Sequence, residues 1–277
     1  MAAMQADLEA YCARIGYGGE RSPTAATLHA LHGLHTRAIP FENLSPFLGE
    51  PVRLDPQSLQ DKLVRRKRGG WCFEQNLLFT HMLRALGFDV KTLAARVRWN
   101  VPPEVTPARS HMLMLVSIAG ERYIADVGFG GITLTAPLKL VADVEQATLH
   151  EPHRLVATGD AYTLEAKVGA SWQALYVFDL YEQIQADYEV SNWYLANNPQ
   201  SQFVTGILAA RADIGRRHTL RNTRYSIHSS NGETERRFIG SVAEMKSVLQ
   251  GPMQIPLPQP ADLDARFQKV IDANPAT

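Results

Sequence analysis

The chain has 277 residues, of which 45% are apolar and 20% charged, with a formal net charge of zero and two cysteines. That composition is ordinary for a soluble globular enzyme, and the balanced charge argues against an electrostatic role on nucleic acid or at a membrane surface. Two cysteines are too few for a disulfide framework or a thiolate metal site, so a reduced, cytosolic protein is expected.

No apolar run reaches the length of a membrane span, and the first residues, Met1 to Asp7, lack the charged and apolar regions of a signal peptide. Residues 7–16 read as an amphipathic helix with Leu8, Tyr11, Cys12 and Ile15 on one face and Gly16 as its stop. Cys12 within that stripe reads as a buried core thiol. Thr24 caps a second helix carrying Leu28, Leu31 and Leu34. His29, His32 and His35 on it have near-helical spacing, but no cysteine or carboxylate cluster accompanies them, so no metal site is read. The stretch Ile39 to Leu44 is irregular because Pro40 turns Ile39 away from helical geometry, and Glu42 among apolar neighbours needs a partner if buried. Asp55-Pro56 opens a third helix as N-cap and first helical residue. It ends in the basic run Arg65 to Arg68, of which Arg65, Arg66 and Lys67 answer the helix dipole.

Gly69-Gly70 breaks that helix. A fourth begins at Cys72 and carries Phe73, Leu77, Leu78, Met82, Leu83 and Leu86, closed by Gly87. The period then changes. Residues 90–99, 110–117, 122–127, 132–140, 162–168 and 171–178 have strand character, with turn residues between, and suggest an antiparallel barrel or curled sheet reaching to about residue 195. The last part is mixed: a short helix over 201–210, a hairpin over 220–239 around Asn231-Gly232, and helices over 242–249 and 261–271.

Three residues in this order can carry nucleophilic chemistry. Cys72 stands at a helix N-terminus, where free N–H groups and the positive dipole end favour a thiolate. Gly69 and Gly70 would let backbone approach a substrate carbonyl and offer oxyanion donors. His111 lies in the most apolar strand, on the face of Leu113 and Leu115, and a lone histidine there is ordinarily a core residue unless it has a partner. Asp126, ending the next strand amid Ile124, Ala125 and Val127, supplies one, since a charge in that setting is costly unless paired. The aspartate would fix the imidazole tautomer and leave the second nitrogen for Cys72. The run Gly128-Phe129-Gly130-Gly131 is neither a dinucleotide fingerprint nor a P-loop, because no helix pattern and no Lys-Ser/Thr follow it.

The flanking sequences carry more. Arg68-Gly-Gly-Trp-Cys-Phe-Glu-Gln-Asn76, Ile39-Pro-Phe-Glu-Asn-Leu44, Ser110-His-Met112, Ala125-Asp-Val-Gly-Phe-Gly-Gly131, Phe178-Asp-Leu180 and Asn192-Trp-Tyr194 together closely resemble the arylamine N-acetyltransferases, in their bacterial form. The resemblance implies an α+β multidomain fold with a cysteine-protease-like Cys-His-Asp core. Its parts would be a helical bundle over 1–87 carrying the nucleophile, an antiparallel β-barrel over 88–195 carrying the histidine and aspartate, and an α/β lid over 196–277. It implies that Cys72, His111 and Asp126 form a catalytic triad. Acetyl would move from acetyl-CoA to Cys72 and then to an arylamine, an arylhydrazine or an N-hydroxyarylamine. Acetyl-CoA would be a co-substrate, with no tightly bound cofactor and no metal. Gly128, Phe129, Gly130 and Gly131 would lie along CoA and Phe129 would line the acceptor pocket; Phe203 reads either as a second aromatic wall or as an ordinary helix contact, and Phe41 as either pocket or core. Arg68 and Glu42 would support the nucleophile from behind. Neither nucleic acid nor membrane is expected as a partner, and a homodimer stays open. The same nucleophile–base–acid order also occurs in transglutaminase-like and papain-like enzymes and in macrolactam-forming amide synthases, and a non-catalytic binding protein could keep the fold.

Overall fold

The computed structural model describes residues 7–275. The leader-sequence reading of Met1 to Ala6 lies outside the described residues. Four helical pieces and one short strand come first: α1 (Leu8–Ile15), α2 (Ala25–Ala38), β1 (Phe41–Glu42), α3 (Leu44–Phe47) and α4 (Pro56–Leu59). Asp7, Thr24 and Asp55 cap α1, α2 and α4 through their side chains, as their residue types dictate. The helix begun at Asp55-Pro56 does not continue as a regular α-helix. After one turn it widens into a π-helical stretch, Gln60–Arg65, and Lys67 beyond it takes a left-handed φ of 55°.

Helix α5 (Cys72–Ala85) is the centre of the first core. Its apolar side chains were legible, but the structure also buries Glu74, Gln75, Asn76 and Thr80, so the helix is enclosed on every side of its first two turns. One side packs on Tyr11, Leu28 and Leu31 of the preceding helices, and another on the β-sheet that follows.

That sheet contains β2 (Asp89–Val97), β3 (Arg109–Ile118), β4 (Glu121–Ala125), β5 (Leu138–Lys139), β6 (His153–Thr158), β7 (Ala161–Val168) and β8 (Ser171–Asp179). All its pairings are antiparallel, and the spatial order of the seven strands is β5-β4-β3-β2-β8-β7-β6. Isolated bridges from Ala142 and Gln146 to β6 bring the two edges nearly together, so the sheet is an almost closed barrel. Strand β3 divides two cores. Met112, Met114 and Val116 face α5, while Leu113 and Leu115 face the barrel interior with Leu155, Leu164 and Tyr176. A strand buried on both faces explains its nearly continuous apolar sequence.

Two expectations for this region need correcting. The stretch 132–140 is not a strand; only Leu138–Lys139 pairs, because the backbone from 126 to 133 is held in a compact loop by Thr133. Residues 153–158 form a strand that the sequence reading passed over, and α6 (Gln185–Asn197) is a helix where no element was expected.

The rest comprises α7 (Gln202–Thr205), β9 (Leu208–Asp213), β10 (Arg216–Arg221), β11 (Arg224–Ser229), β12 (Thr234–Phe238), α8 (Val242–Gln250) and α9 (Leu263–Ala273). The helix expected over 201–210 is a single turn, after which Leu208 enters a strand. The hairpin at Asn231-Gly232 joins β11 to β12, with Gly232 at a φ of 91°. The second sheet has the order β1-β9-β10-β11-β12. Its first strand thus comes from residues 41–42, and its core gathers Leu44 and Phe47 with Phe267 and Ile271.

Candidate active site

Cys72 is the first residue of α5 and is buried. Its Sγ–H points at the Ser110 carbonyl oxygen, 3.8 Å away. A register shift between β2 and β3 creates that approach: Ala95 faces His111 and Arg96 faces Arg109, leaving Ser110 unpaired. Such a bulge re-aims the strand where the next side chain must point at a partner.

His111 Nε2 is 2.7 Å from Asp126 Oδ2. With Nε2 taken by Asp126, Nδ1 is the ring nitrogen left for Cys72, which stands close enough to help raise the imidazole's pKa. Burial opposes the imidazolium, but the Asp126 carboxylate and its hydrogen bond, together with Cys72, push the histidine up to about 10. Burial likewise opposes the Asp126 carboxylate, and His111 with the surrounding donors holds it below the ordinary aspartate range.

The aspartate is fully enclosed and its two oxygens are saturated. Oδ2 accepts from His111 and from Tyr176 Oη at 2.9 Å; Oδ1 accepts from Asn76 Nδ2 at 2.9 Å and the Gly128 N–H at 3.0 Å. Asn76 sits one helical turn after Cys72 and also donates to the Met112 carbonyl at 2.6 Å while accepting the Val127 N–H at 2.9 Å. One amide therefore pins the helix of Cys72 to the strands that lead to His111 and Asp126. Behind it, the Asp126 N–H donates to His32 Nε2 at 3.3 Å, and burial holds His32 down to about 3, so it stays neutral.

Asn76 and Tyr176 were not singled out from the sequence, and His32 was weighed there only as one of three histidines that hold no metal. Asn76 had a usable signal, a polar residue at the i+4 position from Cys72 on an apolar helix. Tyr176 had none, since β8 lies three strands from β4 in the sheet and meets Asp126 only across the barrel interior.

The loop after Asp126 lies over Cys72 and His111. Gly128 packs so tightly that a Cβ there would stand 2.9 Å from Cys72 Cα. Phe129 places its ring edge-on to His111 and Tyr176, with centroids 5.0 and 5.1 Å away. Gly130 faces the ring of Phe41, and Gly131 lies against Thr219 of β10. Phe203, on α7, packs edge-on to Trp71 at 5.1 Å and lies 6.4 Å from Phe41. Phe41, Phe129, Phe203 and the glycine run therefore surround the same approach to Cys72.

Gly69 and Gly70 do something other than expected. The Gly70 N–H already donates to the Pro40 carbonyl at 3.2 Å. A Cβ on Gly69 would stand 2.3 Å from the Pro40 oxygen, and one on Gly70 2.7 Å from Glu74 Oε2. These glycines admit close internal packing rather than open backbone to a substrate. Beside them, Arg68 Nε donates to Glu42 Oε1 at 2.9 Å, and Glu42 Oε2 accepts the Leu44 N–H at 2.6 Å, both side chains buried. Among the described residues no cluster of histidine, cysteine and carboxylate could hold a metal, and no helix is long and apolar enough to cross a membrane.

A family model described as N-acetyltransferase matches residues 24–261. The chain is 42% identical over 275 residues to the arylamine N-acetyltransferase of Mycolicibacterium smegmatis, covering 97% of this chain and 100% of that one. It is 39% identical over 248 residues to the arylamine N-acetyltransferase / N-hydroxyarylamine O-acetyltransferase of Salmonella typhimurium, covering 89% and 88%. The solved structure of Mycobacterium marinum arylamine N-acetyltransferase in complex with CoA superposes with a TM-score of 0.91 at 41% identity, covering 95% of this chain and 99% of that one. The sequence, the almost closed barrel and the relatives all lead to one conclusion, that this chain belongs to the arylamine N-acetyltransferase family.

Proposed function

We propose that the protein transfers acetyl from acetyl-CoA to aromatic amines and hydrazines in two steps, through an acetyl thioester on Cys72. The observation that carries this reading is the single file of Cys72, His111 and a saturated, buried Asp126 beneath Phe129. With His111 charged, the thiolate attacks the acetyl carbonyl; the tetrahedral oxyanion is met by N–H groups of the first turn of α5; its collapse expels the CoA thiolate, which takes the His111 proton. The neutral imidazole then accepts a proton from the incoming amine as the C–N bond forms and Cys72 leaves as thiolate. Asp126 holds the ring's tautomer and stays ionised throughout. The amine would lie among Phe41, Phe129 and Phe203, where an aromatic ring finds edge and face partners. The name of the Salmonella relative supports extending the acceptor set to the oxygen of N-hydroxyarylamines.

The Mycobacterium marinum relative was solved in complex with CoA, and we place the thioester arm of acetyl-CoA along Gly128 to Gly131, where Gly128 packs on Cys72. Beyond Gly131 the strand alternation sets Thr219, Ser226, His228, Arg224 and Arg236 on one face of β10, β11 and β12. Hydroxyls and guanidinium groups there suit the CoA phosphates. Arg236→Ala is expected to raise KM for acetyl-CoA about tenfold while leaving turnover of a simple aryl acetate unchanged. Two free, buried cysteines and a working thiolate fit a reducing cytosol.

Mixing the purified protein with acetyl-CoA alone should add one acetyl group to Cys72 by intact mass and peptide mapping, and an aromatic amine should remove it. A folded, reduced protein that acquires no acetyl group would sink the reading. Discharge by a glutamine peptide instead would favour a transglutaminase-like acyltransferase, and acceptance of only long β-keto thioesters an amide synthase.

A further inference from the structure

Cys72 enters α5 beside a buried ion pair for which the acyl-transfer steps have no use. Glu74 lies in the first turn with its side chain 3% exposed. Its Oε2 accepts the Trp71 N–H at 3.2 Å, and Lys62 Nζ donates to Oε1 at 2.8 Å and Oε2 at 3.0 Å. Lys62 comes from the π-helical stretch, and its own carbonyl accepts the Arg68 N–H at 3.0 Å. One residue thus grips both ends of the loop that delivers the nucleophile: Arg68 directly, and Trp71 through Glu74. The carboxylate is wedged against Gly70, where even a methyl group would collide with it.

The arrangement contains an electrostatic conflict. A carboxylate in a helix's first turn is favoured by the free N–H groups and the dipole, but a thiolate at the first residue draws on the same field. Glu74 is not alone, because Glu42 is a second buried carboxylate nearby, and Arg68 answers that one. Burial pushes the Glu74 carboxyl up and Lys62 opposes the shift. Without the lysine the first turn of the Cys72 helix would hold a buried, unmatched acid.

We propose that Lys62 and Glu74 are positioning residues for Cys72 and form a charge-balanced clamp. Glu74 fixes the Trp71 backbone and hence the start of the Cys72 helix; Lys62 keeps the buried carboxylate ionised and held in the place from which it does so. The inference rests on Cys72 being the nucleophile of the reading above.

The test uses the full chain with Lys62→Met, Glu74→Gln and the double variant, following iodoacetamide alkylation of Cys72 by peptide mapping and single-turnover acetylation by acetyl-CoA. Lys62→Met should slow both by about tenfold, since it leaves uncompensated the buried acid that holds the Trp71 backbone at the start of the Cys72 helix. The double variant should return to within about threefold of the wild type, because a glutamine oxygen still accepts the Trp71 N–H and carries no charge. Urea unfolding of the same variants separates the clamp from a merely structural pair, since alkylation and acetylation should slow under conditions where Lys62→Met is still fully folded. A Lys62→Met protein that alkylates and acetylates at the wild-type rate overturns the clamp, as does a folded double variant as slow as the single one. If Lys62→Met does not fold, the double variant decides alone: near wild-type alkylation supports the clamp, tenfold slower alkylation refutes it. A wild type that alkylates but is never acetylated refutes the acetyl-transfer reading, and the alkylation rates then judge the clamp by themselves.

Discussion

At the scale of single residues the site is governed by how Asp126 is satisfied. Four donors converge on its two oxygens, and Tyr176 and His111 share Oδ2. Tyr176→Phe removes one hydrogen bond to a buried charge, a loss of about 1.5–3 kcal/mol, which should appear as a lower urea midpoint and slower acetylation with the triad still in place. Asp126→Asn keeps the shape but leaves the imidazole tautomer unset, and acetylation in single-turnover experiments should fall by about 10³-fold or more. The histidine adds a pH signature. Its folded-state value of about 10 lies above the ordinary 6.5, so its contribution to stability is complete below pH 6.5 and drains away as pH rises toward 10. Asp126 is depressed below its ordinary 3.8, so its contribution is complete above that pH and is lost as pH falls through the lower folded value. The stability gap between wild type and His111→Asn should be widest between about pH 4 and 6.5 and narrow toward pH 10 in urea titrations. A gap that widens from pH 7 to 10 would contradict the pairing.

At the scale of elements, α5 and the loop after Asp126 depend on one another. Gly128 touches the Cys72 backbone, so Gly128→Ala forces the loop and the helix apart at a cost of about 1–3 kcal/mol. Slower alkylation of Cys72 together with a lower Tm is the expected outcome, and unchanged kinetics would show that the loop can shift without moving the helix. The start of α5 was legible in the sequence because a glycine pair, a cysteine and a 3.6-residue apolar period coincide there. The polar residues among them were not. Glu74, Gln75 and Asn76 look solvated until the chain is folded around the helix, where Glu74 meets the Trp71 N–H and Lys62, Gln75 the Gly70 carbonyl, and Asn76 the strands of the barrel. The strand expected over 132–140 failed for a related reason: its β-branched residues serve a loop anchored by Thr133, and side-chain type alone does not tell a loop's hydroxyl bond from a strand's ladder.

At the scale of the molecule, residues 41–42 form the first strand of the sheet that continues with β9 to β12, while Arg68 ties the same segment to the nucleophile loop. Removing Arg68 strands the buried Glu42 carboxylate. Arg68→Ala should lose about 3–5 kcal/mol of stability, visible as a large fall in Tm, and should damage Cys72 placement before it touches chemistry. A soluble, fully stable variant with normal acetylation would count against that role. The sequence by itself determined the helix that starts at Cys72, the apolar strand of His111 and the costly position of Asp126, because local period and the expense of a lone buried charge are written in neighbouring residues. Only the tertiary structure decided what holds that aspartate and what backs that cysteine. Tyr176 reaches Asp126 through the curvature of a nearly closed sheet, and Lys62 reaches Glu74 through a π-helical widening. Such contacts depend on how distant strands and turns are bent toward each other, which no local pattern encodes.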